Sequence, residues 1–359
     1  MSIPAELYNS IYLITLLILT IVMGFEYSTF TNERLASNQQ GSVIPSAFLC
    51  LIITLFIGFR PISYIFVDMG GYANEWEWWQ GQDASLSWEW TNKIFDNLRV
   101  QMATSGMPVT NLFILISVIY FGCIWVACRK IFPYDTILAF VVYLGAFSTF
   151  SYGTNGIKAG AAASIFLLAL AYHKNTKLAI IFALISWGFH HSMSMVVGSF
   201  VIVKLYNKPK MYFFIWVFSL IIAAAHISVF QSIFQSMTDE RGESYLEMQK
   251  FGKGFRFDFV LYSAMPVLVG YYTIFKKKIL SQNYCTLLNM YLLTNSIWML
   301  CMYAEFTNRI AYLSWFMYPI VLIYPFLNMK LCNKQYHKAI MVTMLHLCFT
   351  LFMTFVFYA

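Results

Sequence analysis

The sequence predicts an all-α fold, a polytopic transmembrane helical bundle, and three observations carry that prediction. Of its 359 residues, 60% are hydrophobic and only 11% are charged, against about 25% charge in an average protein. Mean hydropathy is +0.64. Apolar runs of roughly 18 to 22 residues recur from end to end, each long enough to cross ~30 Å of hydrocarbon. No soluble domain or flexible linker interrupts them, so residues 1–359 read as a single transmembrane domain.

The first run, 8–25, has Glu6 as the only charge ahead of it and is too long for a signal-peptide core, so it is expected to stay as a span. Further spans are expected near 43–59, 109–128, 135–151, 157–173, 211–230, 257–275, 284–303, 310–329 and 338–358. Residues 178–203 form an extra apolar block. As one helix it would measure about 39 Å, and as two halves broken at His190-His191 about 18 Å each. A broken pair is tolerated in a bilayer only where it lines a polar cavity.

Charge placement favours the broken hairpin, because Lys and Arg concentrate on the cytoplasmic side. With a hairpin, that side carries 14 Lys/Arg and three acids, while the outer side carries the other 9 Lys/Arg and 13 of the 16 acids. The net charge of +7 then belongs to basic loops on one side and not to a nucleic-acid surface. Two long outer segments remain, 60–108 and 231–256. The first is Trp-rich: Trp76, Trp78, Trp79, Trp88 and Trp90 alternate with Glu75, Glu77, Asp83 and Glu89. Such tryptophans either anchor at the headgroup level or offer flat faces to sugar rings.

Against this apolar background a few polar residues stand out. A Lys at the bilayer centre costs on the order of 3 kcal/mol, so Lys158 is expected to face a cavity or pathway. Asn155-Gly156-Ile157-Lys158 opens a helix, where free N–H groups and the dipole suit phosphate. The alternative is a small-residue packing seam with a snorkelling Lys. Arg60, closing a span, and Asp68 beyond it read either as interface charges or as an anion ligand and a general base. His190 and His191 point about 100° apart on a helix, which disfavours one shared metal; each is a buried imidazole or a proton donor. In the short turn Glu305-Phe-Thr-Asn308-Arg309, Arg309 is a topological charge or a phosphate contact. Charge placement puts all of these on the outer face.

The seven cysteines show no metal-ligand spacing and read as small hydrophobes. GxxxxGK[ST], GxGxxG, HExxH and GxSxG patterns are absent.

These residues resemble the EpsG family, the Wzy-like polymerases of bacterial exopolysaccharide, capsule and O-antigen. The family's Arg–Asp–Tyr element looks like Arg60, Asp68 and Tyr72, and its acidic-aromatic patch like Trp88-Glu89-Trp90. Its Asn-x-x-Arg-Gln motif corresponds to Asn155-Gly-Ile-Lys158-Ala159, with Lys158 in place of Arg and Ala159 in place of Gln. That exchange loses the planar fork that grips phosphate bidentately. The Phe-His-Ser element resembles Phe189-His190-His191-Ser192, and the late Asn-Arg element resembles Asn308-Arg309.

The resemblance implies a GT-C-like membrane bundle in the bacterial cytoplasmic membrane, with its active site facing the periplasm or exterior. It implies a glycosyltransferase that polymerises undecaprenyl-diphosphate-linked oligosaccharide repeats. Asp68, with Glu89 as substitute, would activate the acceptor hydroxyl, and His190 would protonate the departing diphosphate. Arg60, Tyr72, Asn155, Lys158, His191 and Arg309 would hold substrate and diphosphate, and Trp88 and Trp90 would stack on sugar. No cofactor and no metal are called for, since cations can stabilise the leaving group. Expected partners are lipid-linked glycans and membrane lipids, with room for a chain-length regulator, and no nucleic acid. Rival readings are a flippase for the same lipids, a transferase adding one sugar, and a His-dependent acyltransferase.

Overall fold

A computed structural model describes residues 3–28, 39–227, 254–304 and 307–358. Glu305 and most of the expected outer segment 231–256 lie outside them. Every regular element among the described residues is helical. Leu7–Tyr27, Val109–Ile131, Phe257–Lys276, Thr307–Asn328 and Gln335–Phe357 are long and apolar enough to cross a membrane. Among the described residues five shorter apolar helices accompany them, and the chain is a polytopic helical membrane protein.

The described residues fall into two compact units, Met1–His190 with Phe326–Ala359, and His191–Pro325. In the first, α1 (Leu7–Ser28) and α2 (Gln39–Gly58) precede two short helices, α3 (Asp68–Trp79) and α4 (Lys93–Thr104). Next come α5 (Val109–Ile131), α6 (Thr136–Leu144), α7 (Thr149–Thr154), α8 (Ile157–Ala171) and α9 (Thr176–Phe189). The 23-residue α5 is the axis, packed by α2 and α8; α9 lies on α8, and α4 on α9.

Two expectations change here. The segment 60–108 contains two helices, because Phe95, Arg99, Val100 and Ala103 repeat at helical spacing and bury one face of α4. The expected span 135–151 is interrupted, and Asp135 stays in the turn before it. Between α6 and α7 the break frees three carbonyls, each of which accepts from a hydroxyl. Thr149 Oγ1 donates to Tyr143 O (2.7 Å), Tyr12 Oη to Leu144 O (2.8 Å) and Thr350 Oγ1 to Gly145 O (2.7 Å). That is the satisfaction a helix break in an apolar surrounding requires. As a result α8 starts well inside the bundle: Gly153 and Gly160 both abut Tyr120, about 16 Å along α5 from its start.

The second unit comprises α10 (Met193–Leu205), α11 (Pro209–Ala224), α12 (Phe257–Tyr271), α13 (Gln282–Leu300), α14 (Thr307–Trp315) and most of α15 (Tyr318–Asn328). The buried α13 contacts α10, α11, α12 and α14. Its Asn295 accepts from Trp216 Nε1 (2.8 Å) and donates to Ser263 Oγ (3.1 Å) and Ser314 Oγ (2.9 Å). Trp315 Nε1 also donates to Ser263 Oγ (2.8 Å). This shared network ties four helices together where dispersion alone discriminates poorly between packings. The last helix, α16 (Gln335–Phe352), returns to the first unit and packs on α1.

Candidate functional site

Arg60 follows the C-terminus of α2 and is turned inward, at 2% exposure. Its Nη1 donates to Ile57 O and its Nη2 to Thr154 O, both at 2.8 Å. The Phe66 and Phe113 rings lie 5.4 and 5.0 Å from the guanidinium carbon, within cation–π range. Burial lowers its pKa to about 10, with the Tyr8 hydroxyl opposing, so it remains a cation at neutral pH. Arg60 thus grips the backbone immediately before Asn155-Gly-Ile-Lys158. Arg60 Nε and Asn155 Oδ1 are buried without a hydrogen-bond partner among the described residues.

The loop it holds is tightly packed. A Cβ on Gly156 would meet the Tyr152 ring at 2.9 Å, and one on Gly160 would collide with the Tyr152 carbonyl oxygen. Glycine is therefore required for α7 to fold back against α8. Lys158, two residues into α8, extends until its Nζ lies 5.8 Å from the centroid of the Phe95 ring.

Phe95 is the hub that sequence reasoning missed. It is fully buried, with Tyr72 edge-on at 5.8 Å and Phe189 at 6.4 Å. Asp68, one turn before Tyr72, shares its face of α3. His190 directly follows Phe189, and its N–H closes α9 on Ser186 O at 3.1 Å. The chain is extended at His190 (φ −149°, ψ 122°) before α10 begins at Met193, so the apolar block 178–203 is interrupted at the histidine pair. Gly188 lets α4 approach, since a Cβ there would meet Ile94 Cδ1 at 2.5 Å. The signal for Phe95 lies in the apolar face of α4, inside a segment dominated by tryptophans and acids.

The first unit therefore brings Tyr72, Asn155, Lys158 and Phe189-His190 to one end, with Arg60 beneath and Asp68 alongside. Arg129, Lys130, Lys174 and Lys177 lie at the opposite ends of α5, α8 and α9, where Lys130 Nζ sits 5.2 Å from the Tyr172 ring centroid. Trp88 and Glu89 are exposed, Trp88 at 79%. Trp90 is half-buried edge-on to Trp79 at 6.1 Å, and Lys93 Nζ braces the segment by donating to Trp88 O at 2.7 Å. His191 and Arg309 belong to the second unit, Arg309 in the first turn of α14. Among the described residues no three His, Cys, Asp or Glu side chains gather as a metal would need.

Comparison with curated proteins and with solved structures finds no match for this chain. Residues 43–359 match the EpsG family, a stretch that takes in Arg60, Asp68, Tyr72, the loop held by Arg60 and every helix from α5 onward. This polytopic membrane protein, with its lysine seated beside a helix break, belongs to the EpsG family.

Proposed function

We propose that the chain is a membrane glycosyltransferase that polymerises polyprenyl-diphosphate-linked oligosaccharide repeats, working at the outer face of the bacterial cytoplasmic membrane. The observation that supports it best is the recessed Lys158, carried on a loop that Arg60 holds from below and roofed by the Phe95 ring. A fixed cation near an apolar wall suits a diphosphate leaving group on a lipid tail, because preorganised charge stabilises the developing anion most where water is scarce. Lys158 takes the diphosphate and Asn155 supplies an amide beside it. Asp68 accepts the proton of the attacking sugar hydroxyl, with Glu89 as substitute. His190 gives a proton to the diphosphate oxygen as the glycosidic bond to it breaks. Tyr72 frames the pocket, and Trp88 and Trp90 meet sugar.

Purified protein in lipid, given one defined lipid-linked repeat unit, should produce a ladder of longer glycans and release polyprenyl diphosphate. Folded protein that makes no ladder from its verified native substrate would refute the reading. Reporter fusions at residues 155 and 190 should both report the outer side.

A further inference from the structure

The other side of α3 holds a cavity of about 320 Å³ that the diphosphate chemistry leaves unused. Asn74 and Glu77 line it from α3, Gln80 from just past its end, and Ser63 and Tyr64 from the segment before it. Asn74 and Glu77 lie roughly 140–160° around the helix from Tyr72, while Trp76, one turn after Tyr72, also lines the cavity.

The hollow is open, with Tyr64, Asn74, Glu77 and Gln80 exposed around it, and two contacts fix its wall. Trp76 Nε1 and Gln80 Nε2 both donate to Met107 O, at 2.8 and 3.3 Å, pinning its wall to the start of α5. The Tyr64 ring lies across Gly70 so closely that a Cβ there would collide with it. Among the described residues no Lys, Arg or His lines the cavity, and Glu77 gives it a negative charge.

We propose that this cavity is a sugar subsite, binding an uncharged, hydroxyl-rich pyranose of the glycan whose lipid diphosphate sits at Lys158. The proposal rests on the glycan-polymerising reading. A carboxylate, two carboxamides and a hydroxyl offer both acceptors and donors to neighbouring sugar hydroxyls. Tyr64 offers an aromatic face to the ring's C–H side. The size sits at the lower end of the ~300–1,000 Å³ typical of ligand pockets, which suits a sugar ring better than a lipid. The missing cation argues against phosphate here, so the two ends of one substrate are sorted by charge.

The probe is the native repeat oligosaccharide, freed of its lipid by mild acid and titrated onto the full chain in nanodiscs. Wild type should bind it, Glu77→Gln should weaken binding about tenfold, the worth of a hydrogen bond to a charged group, and Asn74→Ala about threefold or more, the worth of one to a neutral, exposed carboxamide. Gly70→Ala, which displaces the Tyr64 ring without touching the polar groups, should weaken it too. Lys158→Ala should bind the free sugar as wild type does. No binding by wild type, or wild-type binding by the Asn74→Ala/Glu77→Gln double variant, overturns the proposal. Tighter binding of a released long glycan than of a single repeat assigns the subsite to the growing chain, and the reverse assigns it to the acceptor. If sugar binds at this cavity but no ladder forms, the polymerase reading fails and the subsite stands. If the ladder forms and the double variant binds normally, the subsite fails alone.

Discussion

Replacing Arg60 by Ala leaves Thr154 O unpaired and buried, which costs about 1–3 kcal/mol and frees the backbone ahead of Lys158. Polymerisation should be lost in Arg60→Ala, and Arg60→Lys should not restore it, because one ammonium cannot span both carbonyls as the fork does. Lys158→Ala should abolish turnover while membrane insertion stays normal. Lys158→Arg should keep activity, since the charge is retained. Initial rates on the lipid-linked repeat check all four, and activity in both Ala variants would remove the diphosphate cradle from the mechanism. Sequence pattern singled out both cations, and what it lacked was their difference. Arg60 lies inward with its Nη atoms on carbonyls, whereas Lys158 is half-buried and extends its amine along an aromatic face. Spacing along a chain does not record which way a long side chain turns.

Helix packing makes its own predictions. Gly160→Ala forces a methyl into the Tyr152 carbonyl, a backbone atom that cannot swing aside, so overpacking should cost about 1–3 kcal/mol. Gly71→Ala, where nothing lies within 4 Å, should be neutral or slightly stabilising. Thermal unfolding in detergent separates them; equal melting temperatures would contradict the packing described. At the opposite end of the first unit, Asp135 is buried and accepts from Tyr336 Oη at 3.3 Å. Burial raises its pKa to about 6, against the lowering effect of the Tyr336 and Tyr27 hydroxyls. Between about pH 4 and 6 the folded chain holds a proton that the unfolded chain has lost, so stability falls as pH rises through that window. The displacement from 3.8 corresponds to about 3 kcal/mol at most. Asp135→Asn should flatten the dependence, and melting curves at about pH 4.5 and about pH 7 test it.

At the scale of the molecule, the hydrophobic excess makes a multi-pass helical bundle the expected answer, because every backbone polar group in lipid must be paired within its own segment. Run length located most of the membrane helices and the polar interruption at His190-His191. It missed the break between α6 and α7, whose freed carbonyls are met by hydroxyls of α1, α7 and α16, more than a hundred residues away in two cases. The sequence by itself determined the helical membrane class, the family and the short list of polar residues worth testing, since composition and local motifs carry that information. Tertiary structure alone decided that Phe95 joins Tyr72, Lys158 and Phe189, and that Arg60 braces the loop. It also placed a polar cavity behind α3. Those relations depend on which helix faces which, and contacts between distant segments leave no periodic trace in either one.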